Sequence, residues 1–436
     1  MKLPEAAARC MAMLEEAGFA AYAVGGCVRD ALLGREPQDF DLCTAATPEQ
    51  MKSLFREYQL VLAGEKHGTV GVVCQGQVVE ITTFRTEGDY LDNRHPDKVE
   101  FVTDIRQDLS RRDFTVNAMA WSPSRGLCDP FGGREDLKNQ VLRAVGDPVI
   151  RFQEDSLRIL RGVRFAVRYD LEVEAATRRA MASQSGLMEN LARERVLGEL
   201  CKLLPKVSTQ DVLEFGDVLA AVIPELKPMM GFDQHSIHHR YDVFTHTAQV
   251  VGLVPTQLAL RWAALLHDIG KPACFVLDAE GCGHFYGHAK VSAAMANDIL
   301  LRLKSPTALR QQVVFLIEQH MTPLTADRKL LRRRLAQYGE ENVRLLLALQ
   351  MADTEGTGVA EGALDFTEIQ PLLAEILAEN ACLSVKDLAV NGHDLMALDF
   401  RGREIGVMLD RLLAQVLEET LPNQREILLA AAEKER

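Results

Sequence analysis

Apolar positions recur at helical spacing from residue 4 to about residue 17, and the run stops before Gly18. Ala20–Val24 then reads as a short buried strand entering the pair Gly25-Gly26, and Phe40–Cys43 reads as a second strand. Thr47-Pro48-Glu49 has the form of an N-cap with proline at the first helical position. Thr69–Cys74, Gln77–Thr83 and Val99–Val102 are three further strand-like runs, the first two joined by the turn Gln75-Gly76. The pattern predicts a small mixed sheet with helices over residues 1–140. After Pro148 the period becomes helical, with predicted helices at 151–168, 172–184 and 190–204. A second all-helical block starts near residue 235, beyond Pro224 and Lys227-Pro228, and runs to the break at Gly356-Thr357-Gly358. The remainder is helical, with Val407, Leu409, Leu412, Leu413 and Val416 on its apolar stripe. The fold class expected is α+β: a mixed-sheet head followed by all-α segments, with boundaries at 1–140, 141–230, 231–360 and 361–436. No internal repeat or low-complexity segment interrupts this order.

A chain of 436 residues exceeds what one core organises, which agrees with several domains. No apolar run approaches the roughly 20 residues that span a bilayer, and Glu15-Glu16 follows the first residues too soon for a signal peptide. Nine cysteines without a CxxC pair read as reduced thiols, so the expected setting is cytoplasmic, with no membrane partner.

The net charge of −13 disfavours a nucleic-acid partner only until its distribution is read. Residues 351–436 carry 7 basic and 17 acidic side chains, which supplies most of the excess. Residues 101–200 carry 16 basic and 15 acidic, and Arg158, Arg161, Arg164 and Arg168 fall within eleven positions. A local arginine strip suits phosphate whatever the distant tail carries.

Candidate chemistry lies in short blocks. Asp39 and Asp41, two apart on a predicted strand, leave one face and can share Mg²⁺. Glu80, on a neighbouring strand, is a plausible third carboxylate. An isolated Asp-x-Asp is usually a solvated strand end; Gly25-Gly26 and Arg29 within 17 residues of it sharpen the signal. A glycine pair between strand and helix lets amides approach phosphate, and Arg29 in the first helical turn can fork onto phosphate oxygens. Asp155 and Arg158, at i,i+3, would share a helix side and offer one acceptor and one donor to a base edge. Cytosine and adenine both carry an amine where uracil and guanine carry a carbonyl, so one such pair can accept the first two and reject the others.

The runs AVGGCVRDALLG and QDFDLCT, with FRTEGDYLDNRHPDKVEF, LSRRDFTVNAMAW, DPFGGREDL and RFQEDSLRILRGVRFAVRY, resemble the class II tRNA nucleotidyltransferases (the CCA-adding enzymes) and the related bacterial poly(A) polymerases. The similarity covers about residues 20–205. It implies addition of C, C and A to the tRNA acceptor end from CTP and ATP, with Mg²⁺ on Asp39 and Asp41. Gly26, Arg29 and Arg112 would contact the nucleotide, and Asp155, Arg158, Arg161 and Arg164 would lie on the nucleotide-selecting helix, with Arg161 and Arg164 contacting the triphosphate. The loop Asp89–Arg94 matches the family's flexible loop that supports the change from C to A. An A-adding enzyme and a poly(A) polymerase remain alternatives. The Glu-Asp-x-x-Arg pattern and the acidic tail weigh against the polymerase.

The later block carries LLHDIGKP, which resembles the HD phosphohydrolase superfamily. That resemblance implies His246, His267, Asp268 and Asp353 as ligands for Ni²⁺, Mn²⁺, Co²⁺ or Mg²⁺, with His288 and His320 completing a two-metal site. His238 and His239 are expected at the surface and His67 in a loop, without roles. A reading of another class, an HD-type nucleotide or phosphodiester hydrolase whose head only binds nucleotide, is disfavoured by intact Asp39, Asp41 and Arg112.

Overall fold

The protein is described from a computed structural model covering residues 1–87, 99–236, 239–359, 366–379 and 381–435. It is α+β, and the chain divides into two compact units. Met1–Lys206 with Glu214–Pro224 forms the first; Val207–Leu213 with Glu225–Arg436 forms the second. The loop Asp89–Arg94 and His238 lie outside the described residues.

The first unit opens with α1 (Glu5–Glu16), then β1 (Ala21–Val24), α2 (Gly26–Leu32), β2 (Leu42–Thr44) and α3 (Pro48–Leu54). Strands β3 (Gln59–Val61), β4 (Thr69–Cys74) and β5 (Gln77–Thr83) follow, then β6 (Arg85–Glu87), β7 (Val99–Phe101), α4 (Ile105–Ser110), β8 (Ala120–Ser122) and β9 (Gly126–Cys128). Seven strands make one sheet in the order β3-β4-β5-β2-β1-β8-β9, while β6 and β7 pair only with each other. Thr47 caps α3 as the sequence predicts: its hydroxyl accepts from the Gln50 amide, and the Gln50 side chain accepts from the Thr47 amide. The second predicted strand begins two residues later than expected, so Asp39 and Asp41 precede β2 rather than ride on it. The ladder still reaches Asp41, whose carbonyl accepts from the Val24 amide at 3.0 Å.

Helices α5 (Gly133–Lys138), α6 (Pro148–Glu154), α7 (Leu157–Tyr169), α8 (Ala175–Gln184) and α9 (Arg193–Leu203) complete this side, with α10 (Thr209–Glu214) and α11 (Gly216–Val222) after them. The predicted helix 151–168 is two helices. Asp155 leaves helical geometry (φ −144°, ψ 99°), and its carboxylate accepts from the Leu157 amide at 3.1 Å. A carboxylate that captures the amide two residues on restarts a helix instead of continuing one. Helix α7 buries Leu157, Ile159, Leu160, Val163, Phe165, Ala166 and Tyr169, and ends at Asp170 in the left-handed region. Fully buried Phe114 packs edge-on against Phe165, centroids 5.9 Å apart.

The second unit is helical: α12 (Val243–Leu253), α13 (Leu258–Leu266), α14 (Lys271–Cys274), α15 (His288–Arg302), α16 (Thr307–Gln319) and α17 (Arg328–Gly356). Helix α13 is buried from Ala259 to Leu266, with Trp262 among the largest enclosed side chains. The tail has its own core, in which Leu409, Leu412 and Val416 meet Phe400, Leu395 and Leu428. Val407 departs from the predicted stripe and is exposed. Among the described residues no helix is long and apolar enough to cross a membrane.

One buried network fastens α7 to the sheet. Arg161 donates through Nε to Asp113 Oδ2 at 2.8 Å, the Asn117 side chain donates to Asp113 Oδ1 at 3.1 Å, and Arg29 donates to Asn117 Oδ1. Burial pushes the Asp113 carboxyl up, but Arg161, Asn117 and Arg158 outweigh it and hold the pKa at about 2. The lowered pKa makes the ionised form the stabilising one. Its contribution is complete above the unfolded-state value near 4 and disappears as pH falls toward about 2. Asp113→Asn should therefore cost about 2 kcal/mol at pH 7. Urea titrations should show the gap between wild type and variant narrowing at pH 3.5; a gap independent of pH refutes this account.

Candidate functional sites

The first candidate site is built where β1 turns into α2. Gly25 sits at φ +75° and ψ −122°, and a β-carbon there would lie 2.9 Å from Arg112 Nη1. Only glycine meets both demands, so the Arg112 guanidinium rests directly on the turn. The parallel register of β2 with β5 (Leu42↔Ile81, Cys43↔Thr82) sets Asp41 beside Glu80 one step earlier. Leu42 and Ile81 face the core, so alternation puts Asp41 and Glu80 on the opposite face, where both are exposed. Asp39, two residues back, is exposed as well.

Crowding shows in the electrostatics. The protein packed around Asp41 raises its pKa, Arg112 opposes this, and Glu80 and Asp39 raise it further, although its tip remains open to solvent. Asp39, Asp41, Glu80 and Arg112 are thus gathered at the glycine turn. The three carboxylates are not among the described groups whose ligating atoms all lie within 4.8 Å of one another. Hard oxygen donors in this number suit Mg²⁺, and the mutual repulsion at Asp41 is what a cation relieves.

Arg29 is placed differently from the expectation of a phosphate fork. It is 5% exposed, donates to Asp30 at 2.9 Å, to Asn117 and to the Tyr169 hydroxyl, and lies 4.1 Å from the Tyr169 ring centroid. It ties the turn to α7. Sequence reasoning missed Asn117 and Tyr169, partners 88 and 140 residues away.

Asp155 and Arg158 do not pair with each other. Asp155 Oδ2 accepts from Arg195 at 2.8 Å. Arg158, 8% exposed, donates to Glu154, to the Arg151 carbonyl at 3.0 Å and to the Arg111 carbonyl at 3.0 Å. Its last bond joins the start of α7 to the residue before Arg112. Arg164 pairs with Glu199 at 2.6 Å. Arg112 contacts Asp108 at 3.4 Å, while its buried Nε has no partner.

The second candidate site forms at the C-terminal end of α13. His246, His267, Asp268 and Asp353 present ligand atoms within 4.8 Å of one another, and so do Asp268, His288 and His320. Asp268 belongs to both groups. His246 Nε2 lies 3.0 Å from Asp353 Oδ1 and 3.4 Å from Asp268 Oδ2; His288 Nε2 lies 3.3 Å from Asp268 Oδ1. Three rings have their other nitrogen held by a carbonyl: His267 by Ala264 at 2.9 Å, His288 by Phe285 at 2.9 Å and His320 by Ile317 at 2.6 Å. This fixes the Nδ1–H tautomer and turns each Nε2 lone pair into the cluster.

Both Asp268 oxygens are buried and accept no aligned hydrogen bond, despite Lys271 Nζ at 2.8 Å. Burial alone would raise Asp268 and Asp353, but the surrounding histidines, with Lys271 at Asp268, hold both well below the usual carboxylate range. Burial would lower His267, yet Asp268 and Asp353 drive it up to about 10. Two carboxylates among imidazole lone pairs call for positive charge, as proton or as metal. The donor set fits a divalent transition metal.

A cavity of about 680 Å³ opens onto this cluster. His239 lines it with its Nδ1 buried and unpartnered, not at the surface as expected. Burial, Lys271 and His246 lower its pKa to about 3. Lys271 was legible only as part of the HD run; its second partner, Gln234 at 2.8 Å, was not. His67 lies in a short 3₁₀ turn, Glu65–His67.

The poly A polymerase head domain family matches residues 21–143, and a family described as tRNA nucleotidyltransferase domain 2, putative, matches 284–432. The CCA-adding enzyme of Levilactobacillus brevis is 35% identical over 422 residues, covering 96% of this chain and 94% of the relative. That of Ligilactobacillus salivarius is 33% identical, covering 99% of this chain and 97% of the relative. The fold is similar to the crystal structure of the Bacillus stearothermophilus CCA-adding enzyme in complex with CTP. The TM-score is 0.74 at 25% identity, over 100% of this chain and 98% of that one. The Thermotoga maritima CCA-adding enzyme complexed with tRNA shares the fold at TM-score 0.58 and 21% identity, over 98% and 94% of the two chains. A nucleotidyltransferase head ahead of a largely helical remainder, with this identity along almost the whole length, places the chain in the CCA-adding enzyme family.

Proposed function

We propose that this protein adds C, C and A to the 3′ end of tRNA from CTP and ATP, releasing diphosphate at each step. The observation that carries this reading is the grouping of Asp39, Asp41, Glu80 and Arg112 at the Gly25 turn. The tRNA 3′-hydroxyl oxygen attacks the α-phosphorus, a phosphorus–oxygen bond forms, and the bond to diphosphate breaks. Asp39 and Asp41 would hold Mg²⁺, with Glu80 beside them; when bound, the ion neutralises the triphosphate and activates the attacking hydroxyl. Gly25 and Gly26 leave room for phosphate against the backbone. Arg112, with an unpartnered buried Nε, offers charge to the triphosphate.

Asp155 and Arg158 choose the base in this reading. Arg158 is held in one plane by Glu154 and by the Arg111 carbonyl, beside the segment that bears Arg112. A mismatched base would leave a buried donor or acceptor unpaired. Arg161 and Arg164 keep the helix in place through Asp113 and Glu199.

The second cluster acts as a metal-dependent phosphohydrolase on phosphomonoesters or 2′,3′-cyclic phosphates, with His246, His267, Asp268, Asp353, His288 and His320 holding Ni²⁺, Mn²⁺, Co²⁺ or Mg²⁺. The oriented Nε2 atoms and the Asp268 carboxylate shared by both ligand groups support this. Such metals polarise phosphoryl oxygens and supply hydroxide near neutral pH. A cyclic phosphate on a damaged tRNA end blocks nucleotide addition, so the two activities suit one chain.

Three outcomes check these assignments. Asp39→Ala with Asp41→Ala should abolish nucleotide incorporation into tRNA ending at the discriminator base, each labelled triphosphate being supplied in turn. Substantial incorporation at saturating Mg²⁺ contradicts the metal assignment. Arg158→Ala or Asp155→Ala should cost the correct nucleotide about 1–3 kcal/mol and narrow the CTP-to-UTP ratio while tRNA affinity holds. An unchanged ratio means that the pair is structural. His267→Ala with Asp268→Ala should remove bound metal and ester hydrolysis and leave CCA addition within about twofold. Hydrolysis surviving in that variant excludes the cluster.

A further inference from the structure

The cavity beside the second cluster has an aromatic rim that ligation at Asp268 does not explain. Tyr286 is 75% exposed, so its ring gains little from burial. It lies nearly parallel to His284, centroids 5.3 Å apart and planes 10° apart, and both residues line the cavity with Asp268 and His288. The pair is braced from behind. His284 Nε2 lies 2.7 Å from Asp278 Oδ2, while Asp278 Oδ1 accepts from the amides of Glu280 at 3.1 Å and Cys282 at 2.7 Å. The Gly283 amide donates to the His235 carbonyl at 2.8 Å, and a β-carbon at Gly283 would lie 2.1 Å from the Gln234 carbonyl. The hairpin formed by Val276–Leu277 and Gly283–His284 is therefore fastened, and the imidazole is held in place with the phenol ring against it.

Distance along the chain completes the argument. Tyr286 precedes the ligand residue His288 by two positions, with Gly287 between them at φ +76°. Two residues span at most about 7 Å, which is comparable to the separation of a nucleobase from the phosphate of its own ribose. The remaining polar equipment matches. Lys271, 5% exposed, has its ammonium 2.8 Å from Asp268 and 5.2 Å from the Phe285 ring centroid, at the phosphate end. His239 offers an unpartnered buried Nδ1.

We propose that the braced His284–Tyr286 stack is a nucleobase platform, so that this cavity takes nucleoside phosphates in preference to base-free phosphate esters. The inference rests on the phosphohydrolase reading only for where the phosphate lies; the base subsite stands on the stack itself. Recognition is through the π-face, so the subsite accepts any base, unlike the edge-reading Asp155 and Arg158. Tyr286 is a specificity-determining residue.

The test uses full-length protein with saturating CTP to fill the head and 2-aminopurine riboside 3′-monophosphate as probe. The probe's fluorescence falls when its ring stacks on an aromatic side chain. Wild type and Tyr286→Phe should quench the probe with equal Kd, and Tyr286→Ala should raise Kd roughly tenfold. Displacement of the probe by ribose 5-phosphate should need far higher concentrations than displacement by adenosine 3′-monophosphate. Equal binding by wild type and Tyr286→Ala, or absence of quenching in wild type, overturns the proposal. Hydrolysis of the probe is followed in parallel with Mn²⁺. If no protein hydrolyses it while Tyr286-dependent quenching persists, the base platform stands and the phosphohydrolase reading alone fails.

Discussion

The Asp113 carboxylate is the constraint on which the nucleotide-handling end depends. It is buried, charged and shared by Arg161 on α7 and Asn117 beside β8. A buried anion of this kind is tolerable only when its hydrogen bonds are filled from fixed directions. Because Asn117 passes the connection on to Arg29, and Arg29 to Tyr169, the glycine turn and both ends of α7 are fixed in one arrangement. Selecting a base and gripping a triphosphate are different chemical tasks, and in the proposed reaction they would share a single rigid support.

This also explains how a chain of net charge −13 keeps an arginine-rich helix in which three of the four arginines are paired with carboxylates. Arg158, Arg161 and Arg164 each meet a carboxylate: Glu154, Asp113 and Glu199. Arg164 also lies over the Phe165 ring. The guanidinium groups are held with their planes set, which lowers the entropy lost when a ligand binds. The second unit uses the opposite logic. There Asp268 and Asp353 sit among histidines with the Lys271 ammonium beside Asp268, so the positive charge gathers around the carboxylates.

What was legible in the sequence was whatever local chemistry decides. The Thr47 cap, the Gln75-Gly76 hairpin and the strand into Gly25 depend on neighbours within a few residues. That His246, His267, Asp268 and Asp353 come together was legible through the resemblance that LLHDIGKP carries. The partners that hold Arg29 were not legible, because they lie 88 and 140 residues away in the chain. The break at Asp155 was hidden by apolar spacing that continues on both sides of it, while a single side-chain hydrogen bond decides against helix. His239 read as surface because nothing local places it; it is half-buried edge-on to the His246 ring, with centroids 5.3 Å apart, a contact that only the fold brings about.

Chain topology adds a last consequence. The polypeptide crosses between the two units three times, at 206–207, 213–214 and 224–225, because Val207–Leu213 belongs to the second unit while Glu214–Pro224 returns to the first. The short excursion is anchored: Arg261 donates to the Val207 carbonyl at 2.8 Å, and Gly252 leaves room for Thr209 where a β-carbon would lie 2.1 Å from its hydroxyl. No single cut yields two whole units; a nick at any point strands one segment with the wrong partner. During synthesis the first unit stays incomplete until residue 224 has emerged, and residues 207–213 must wait for helices made later. A deletion from residue 225 onward would leave residues 207–213 behind without the helices that hold them.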